Sequence, residues 1–469
     1  MTTTPPPSPS PFDRLNQWLR TSTLIKLGTI GVLVLILLIP AVMLQELITE
    51  RQATRNSAVA EVSDKWGGVQ TLAGPVLSVP YTVFVKDEKG QITRQTEYAH
   101  VLPDDLTITG TLQPEQRSRG LFQVMLYNTR LQLRGTLPRL NAERLGLNPA
   151  DVQWDRAFIS VGVQDMKGIK DEIRLRINGR PMVVEPGIPT ADLMEAGVNA
   201  RVPLTDSLRF ECELNLNGST DLYFLPFGKQ TTVRLTAPWA TPSFVGASLP
   251  DQRTVDAGGF SATWKVLQYN RNYPQQGTGA FLNRRYATGA APTEAIRPVP
   301  AATTNRADDT AFGVRLLTPV DEYQKTMRSA KYAVMFILIT FTAFFFVEIL
   351  DKRRIHPIQY LLVGFAICLF YLLLLALSEH ISFNWAYLVS AAATLGLITF
   401  YVRYVFQNGR LTILFSGILA LLYGFYFSLL QLEDYSLLLG TLGLALILAT
   451  IMYLTRHVNW YRAYENSIQ

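Results

Sequence analysis

Residues His356–His380 read HPIQYLLVGFAICLFYLLLLALSEH, and from Pro357 to Ser378 the stretch carries no Asp, Glu, Lys or Arg. A helix crossing the hydrocarbon core of a bilayer needs about 20 mostly apolar residues. This segment therefore predicts a membrane span at 358–378. Working outward, four more apolar runs follow the same rule, at 332–350, 385–402, 411–430 and 437–455. Any one of them could be a buried core helix. Five such runs between residues 332 and 455, joined by short polar loops, argue against that. A sixth span is predicted at 24–45, between a proline-rich head and a polar stretch. It lacks a small-x-small cleavage site and reads as a signal anchor, with Pro40 tolerated as prolines are in membrane helices.

Charge is distributed accordingly. The chain has 469 residues, 48% hydrophobic and only 17% charged, against about 25% in a globular protein. Of its 43 Lys and Arg, 33 lie in residues 46–331, together with 30 of the 37 Asp and Glu. The ten remaining basic residues are Arg14, Arg20, Lys26, Lys352, Arg353, Arg354, Arg403, Arg410, Arg456 and Arg462. Cytoplasmic flanks are enriched in Lys and Arg. With the N-terminus inside and six spans, all ten fall in the cytoplasm. The loops 378–384 and 431–436 then face outward, carrying only Glu379, Glu433 and Asp434. This predicts a multi-pass protein of a cytoplasmic membrane with both termini cytoplasmic: tails at 1–23 (disordered) and 456–469, and a large extracytoplasmic domain at 46–331. A cytosolic enzyme and a disordered chain are excluded. The two cysteines, Cys212 and Cys368, make no disulfide framework. Net charge of +6 is explained by the cytoplasmic flanks and calls for no nucleic acid.

The domain at 46–331 opens with a helical lead-in at 46–65 and then reads as β. Leu208, Phe210, Cys212, Leu214 and Leu216 alternate with Arg209, Glu211, Glu213 and Asn215, the period-two pattern of a strand with one buried face. Cys212 falls on the apolar side, as a small core residue. Asn178-Gly179 predicts a type I′ hairpin after Ile173–Ile177, because both central residues need positive φ. Asn217-Gly218 predicts another, into Leu222–Leu225, and Asp87–Gly90 a third, between Val79–Lys86 and Gln91–Leu102. Further strands are expected around Leu106–Leu112, Leu131–Leu133, Trp264–Leu267 and Phe312–Thr318. Many short strands with regular turns predict a sandwich-like domain. Residues 273–311, rich in Gly, Ala, Pro and Thr, are expected to form a mobile loop.

No phosphate-binding loop, H-E-x-x-H, G-x-S-x-G or C-x-x-C is present. The four histidines, His100, His356, His380 and His457, are scattered, which argues against zinc. No catalytic, cofactor or metal residue is predicted. Glu348 lies near the end of a span, where it is expected to reach the interface or pair with Lys352. Ala392 and Gly396 have the small-xxx-small spacing of close helix packing. The candidate functional interface is Ser378, Glu379 and His380, with His356 before the same span. A carboxylate beside an imidazole could do acid–base work or bind a cation. Neighbours along one chain need not face one another, and docking or capping is the plainer role. Lys325, Arg328 or Lys331 are the expected partners of Glu379.

Several motifs resemble one family, the CreD-type inner membrane proteins, also called cell envelope integrity proteins. They are Gly74-Pro75-Val76-Leu77, Leu102-Pro103 with Leu106, Glu185-Pro186-Gly187, Pro242-Ser243-Phe244 with Leu249-Pro250, and Gly259-Phe260 with Trp264. They continue with Pro319–Gln324, Ala330-Lys331-Tyr332, His356–Gly364, Phe370–His380 and Leu437–Thr441. The resemblance implies an inner membrane protein of a Gram-negative bacterium, tied to envelope integrity and stress responses, with no established catalytic residues to carry over.

Two readings follow for function. In the first, the chain is non-enzymatic: the helices anchor it and the β domain binds an envelope protein, lipid or glycan. In the second, it is a lipid or small-molecule transporter or a membrane-surface enzyme. A polar cleft among the helices would favour the second.

Overall fold

The structure, a computed structural model, describes residues 23–86, 91–203, 207–282, 308–316, 322–351, 355–432 and 436–456. The tails expected at 1–22 and 457–469, the Asp87–Gly90 turn and Lys352 lie outside them. The chain divides into two compact units, one of residues 1–54 and 320–469, the other Arg55–Pro319.

The helical unit begins with α1, Thr23–Trp66, of which the residues from Arg55 on belong to the other unit. Its 44 residues span about 66 Å at 1.5 Å per residue, and Pro40 sits inside it without ending it. The other helices are α2 (Glu322–Lys331), α3 (Ala333–Asp351), α4 (Pro357–Ser378), α5 (Phe383–Phe406), α6 (Gly409–Gln431) and α7 (Ser436–Thr455). By length and composition, α1, α4, α5 and α6 can each cross a membrane. α2 and α3, bent by 46° at their junction, count as a fifth if taken together. In α7 the apolar helix among the described residues is Leu438–Thr450.

Packing inside this unit follows helical periodicity. α4 buries Tyr360, Val363, Gly364, Ile367, Phe370, Tyr371 and Leu374, three or four apart on one face. Gly364 lets α1 come close: a Cβ there would lie 2.1 Å from Cδ1 of the buried Leu37. The Ala392/Gly396 face of α5 packs against nothing among the described residues. Both residues are exposed, and nothing lies within 4 Å of a Cβ built on Gly396. α5 instead buries Ser390, Thr394, Ile398 and Val402. α2 groups with the helices rather than the β unit. Its Ser329 carbonyl accepts from Tyr426 Oη of α6 at 2.6 Å, so the β unit is shorter at both ends than 46–331.

The β unit contains two sheets. The first has the order β13 (Pro242–Gly246), β17 (Phe312–Leu316), β11, β1, β5, β9 (Gly197–Arg201), β8 (Glu185–Pro186), with β2 also on β1 and β16 (Gln276–Thr278) on β2. Its centre is β1, Gln70–Lys86, parallel to β11 (Asp221–Phe224) through Gln70–Leu72 and antiparallel to β2 (Ile92–Val101) through Leu77–Lys86. β5 (Phe158–Val163) lies on its other edge, with a register shift at Gly74-Pro75. The second sheet has the order β14 (Gln252–Asp256), β15 (Gly259–Leu267), β12, β3, β4, β10, β6 (Arg174–Ile177), β7 (Arg180–Met182). Its middle comprises β12 (Gln230–Ala237), β3 (Asp105–Arg119), β4 (Phe122–Pro138) and β10 (Ser207–Ser219). Leu208, Phe210, Cys212, Leu214 and Leu216 all point inward and are buried. They join Trp264, Leu133, Val233, Leu77 and Ile159 in one core shared by both sheets. A smaller core holds Ala73, Val76, Leu102, Leu193, Met194, Tyr273 and Phe281.

The Asn178-Gly179 hairpin forms as expected, with φ of 48° and 80° and Arg174–Ile177 paired to Arg180–Met182. Asn217-Gly218 is not a turn. β10 runs straight through it, paired with Asn128 and Tyr127. The chain leaves at Thr220, φ 55°, to enter the other sheet. Gly218 is there for clearance, since a Cβ would lie 2.3 Å from Oη of Tyr127. The loop expected at 273–311 is partly built. Gln276–Thr278 form β16 on β2, and Phe281 and Leu282 are buried. Apolar residues at a spacing too sparse to show a period tie this stretch down, whereas 283–307 lie outside the described residues. The strand expected at Phe312–Thr318 is Phe312–Leu316.

Candidate functional site

The four residues singled out by sequence divide between the two ends of α4. At its C-terminal end, Ser378 is buried and its hydroxyl donates back to the Leu375 carbonyl at 2.9 Å. Glu379 is the cap residue and His380 is exposed. Glu379 Oε1 accepts from Tyr323 Oη of α2 at 3.1 Å, with Arg51 Nε of α1 at 3.9 Å. These stand in place of Lys325, Arg328 and Lys331, the partners expected. Lys325 Nζ donates instead to Gln431 at 3.5 Å and lies over the Phe383 ring. Gln431 in turn donates to Asn384. Arg51, Tyr323, Lys325, Glu379, Asn384 and Gln431 thus form a polar collar drawn from α1, α2, α6 and the ends of α4 and α5.

His356 is a turn-by-turn helix away, at the N-terminal end. Its Nδ1 accepts from Ile358 N at 3.3 Å, while Gln359 Oε1 accepts from His356 N at 3.1 Å. This reciprocal arrangement is a capping box, which satisfies otherwise orphaned helix-end donors. About 33 Å separates it from the collar, from 22 residues of helix, so the four residues make no single site. Near this end Glu348 is buried within the helical unit. Its carboxylate accepts from Tyr360 Oη at 2.8 Å and from Ile355 N at 3.3 Å. Those bonds offset the cost of burying a polar carboxyl group.

The interior of the helical unit is not uniformly apolar. Phe336, Phe370, Tyr387, Tyr423 and Tyr426 form one ring cluster with centroids 4.6–6.5 Å apart. Tyr387 Oη donates to the Tyr423 carbonyl at 2.8 Å. The hydroxyls of Tyr423, Ser390 and Thr394 are buried without a hydrogen-bond partner among the described residues.

The β unit holds a constellation that sequence reading missed. Ser78 on β1 and His100 on β2 are directly opposed, with Ser78 Oγ 2.8 Å from His100 Nδ1. His100 Nε2 lies 3.0 Å from Asp192 Oδ2. The hydrogen bond from His100 holds the Asp192 carboxyl below its usual range. A nucleophile, a base and an orienting acid in sequence are the elements of acyl transfer. Here Ser78 and His100 are 3% and 1% exposed. Phe281 covers the imidazole at 6.3 Å. Ser78 sits mid-strand between two ladder partners, His100 and Phe158, which leaves its backbone N–H no part in an oxyanion hole. The set ties the segment bearing Asp192 to the first sheet.

The outer face of the second sheet is open and polar. A depression of about 510 Å³ is lined by Thr109, Thr111, Asn128, Arg130, Gln132 and Arg234, with Gly110, Gln113 and Thr236. Beside it, sharing Arg130 and Gln132, is one of about 540 Å³ that includes Asp171, Glu172, Arg174 and Glu213. Among the described residues no group of three or more His, Cys, Asp or Glu is placed to hold a metal.

The profile of the family described as Inner membrane protein CreD matches residues 22–461. The chain belongs to the CreD family. It is 33% identical to the Inner membrane protein CreD of Escherichia coli (strain K12) over 438 residues, 91% of each chain. Among solved structures, yeast LTA4 hydrolase in complex with bestatin aligns over 35% of this chain and 26% of its own. The identity there is 9% and the TM-score 0.16, too low to bear on fold or chemistry. As a CreD family member the chain is an inner membrane protein with several apolar helices and a large β domain.

Proposed function

We propose that this protein is a non-enzymatic inner membrane protein that supports envelope integrity and stress responses. Its β domain faces the periplasm and binds an envelope component, and six spans anchor it with both termini in the cytoplasm. The observation that carries the reading is the outer face of the second sheet: exposed, concave and hydrogen-bonding. The chemically organised residues of the same domain, Ser78, His100 and Asp192, are closed to substrate. The placement of all ten outlying Lys and Arg on one side supports the topology. To test the reading, a photo-crosslinking residue is placed at Gln113 in the full chain in living cells and the adducts are identified by mass spectrometry. Adducts to a periplasmic protein, lipid or glycan are expected. Adducts confined to cytoplasmic proteins would contradict it.

A second reading, transport of a lipid or small molecule, is favoured by the unpartnered hydroxyls of Tyr423, Ser390 and Thr394 inside the helical unit. Each such group costs about 1–3 kcal/mol, and a passing polar ligand would satisfy it. Ser390→Ala with Thr394→Ala should then abolish transport in reconstituted vesicles without lowering abundance. Unchanged function with higher stability would leave anchoring as the role of the helices.

A further inference from the structure

The depression centred on β3 is chemically lopsided. Register places Arg130 of β4 opposite Thr111 of β3, and Arg234 of β12 opposite Thr109 of β3. Two guanidiniums thus flank one strand on either side, two residues out of step. Both are exposed, and neither has an ion pair or side-chain hydrogen bond among the described residues. The pattern differs elsewhere on the sheet, where Arg134 faces Glu211 at 3.8 Å. Between the two guanidiniums the floor is Gly110 and threonine hydroxyls, and its lining includes no carboxylate and no aromatic ring. The carboxylates of this face lie in the neighbouring depression: Glu213 accepts from Gln132 at 3.1 Å, and Asp171 accepts from Asn215 at 2.6 Å.

We propose that this depression binds an acidic saccharide, with its carboxylate on Arg130 and Arg234 and its hydroxyls on Thr109, Thr111 and Thr236. The inference rests on the reading of the β domain as a binding module and names its ligand class. A volume near 510 Å³ lies within the range of about 300–1,000 Å³ usual for small-ligand sites. The lining includes no aliphatic or aromatic residue of the kind a hydrophobic ligand packs against. Guanidinium forks match the planar carboxylate by paired hydrogen bonds. The acidic neighbour disfavours an anion shifted toward β10.

The test uses the full-length protein in detergent micelles. Binding of tri-galacturonate, maltotriose and inorganic phosphate is measured by titration calorimetry at low and moderate salt. Tri-galacturonate should bind, with affinity falling as salt rises. Maltotriose should bind at least about tenfold more weakly, the scale of one charge-assisted hydrogen-bond pair. Arg130→Gln and Arg234→Gln should each weaken tri-galacturonate by about tenfold, and Arg176→Gln on the far β6 strand should not. Each variant's thermal unfolding is checked against the parent. Equal binding of the neutral and acidic sugars, or unaltered binding by the folded Arg130→Gln, Arg234→Gln double variant, would overturn the proposal. So would phosphate competing as strongly as the sugar, which would mark a bare anion site. No saccharide binding alongside periplasmic crosslinks at Gln113 would overturn this inference and leave the binding-module reading standing.

Discussion

At the scale of residues, buried polar groups show what was hidden in the sequence. Ser78 and His100 are 22 positions apart, and only the pairing of β1 with β2 joins them. The hairpin itself was legible, from the turn residues Asp87–Gly90 between Val79–Lys86 and Gln91–Leu102. Its register was not. A shift of one residue would set Leu77 against His100 and turn the imidazole to the other face. Asp192 adds a contact from a segment with no periodic pattern at all. Because its folded pKa is lowered, the linked stability is present above the ordinary Asp value. It disappears as pH falls through the lowered one. Asp192→Asn should therefore cost about 1 kcal/mol near neutral pH and nothing below the acid transition. Denaturant unfolding of the full chain at several pH values measures this, and a loss that stays constant with pH would contradict the linkage. Glu379 belongs to the same scale. Its position at the helix end was readable from the apolar run before it, whereas Tyr323 and Arg51 as partners were not, because they come from two other helices. Tyr323→Phe should cost about 1 kcal/mol. Glu379→Gln should lower the envelope-stress phenotype at normal abundance if the collar is functional; full activity in that variant would reduce the collar to a connector.

At the scale of elements, helices and alternating strands were legible because burial on one face imposes a period. The errors fall where one residue type serves two purposes. Glycine after asparagine signals a hairpin at 178–179 and a close crossing at 217–218. Only the second depends on Tyr127, whose hydroxyl is itself fixed to the Asp221 carbonyl at 2.7 Å. Gly218→Ala should accordingly destabilise the β unit by about 1–3 kcal/mol, the usual cost of overpacking. Gly179→Ala acts through backbone strain alone, since nothing lies near its Cβ. Chemical denaturation of the two variants compares them, and a tolerated Gly218→Ala would show that Tyr127 can move. A similar ambiguity affects Ala392 and Gly396. Small residues at that spacing mark packing in some helices, but here the face is exposed, and α5 packs through Ser390 and Thr394.

At the scale of the whole molecule, the division into an oily part and a chargeable part was readable from composition alone. The strand order of two interleaved sheets was not, because β1 and β11 pair in parallel across about 150 residues with no local signal. Cysteine chemistry follows the same division. Cys212 is fully buried in the β unit, where burial pushes its thiol up to about 12, and Cys368 lies in α4; both are free. Non-reducing mass analysis should find no bridge, and Cys212→Ala should cost about 1–2 kcal/mol. The central claim is that the β domain works outside the cytoplasm while both termini stay within it. Fusions after Lys65 and after Gln469 to a reporter active only in the periplasm, paired with one active only in the cytoplasm, test it most directly. The account predicts a periplasmic signal at Lys65 and a cytoplasmic signal at Gln469. A cytoplasmic signal at Lys65 would contradict it.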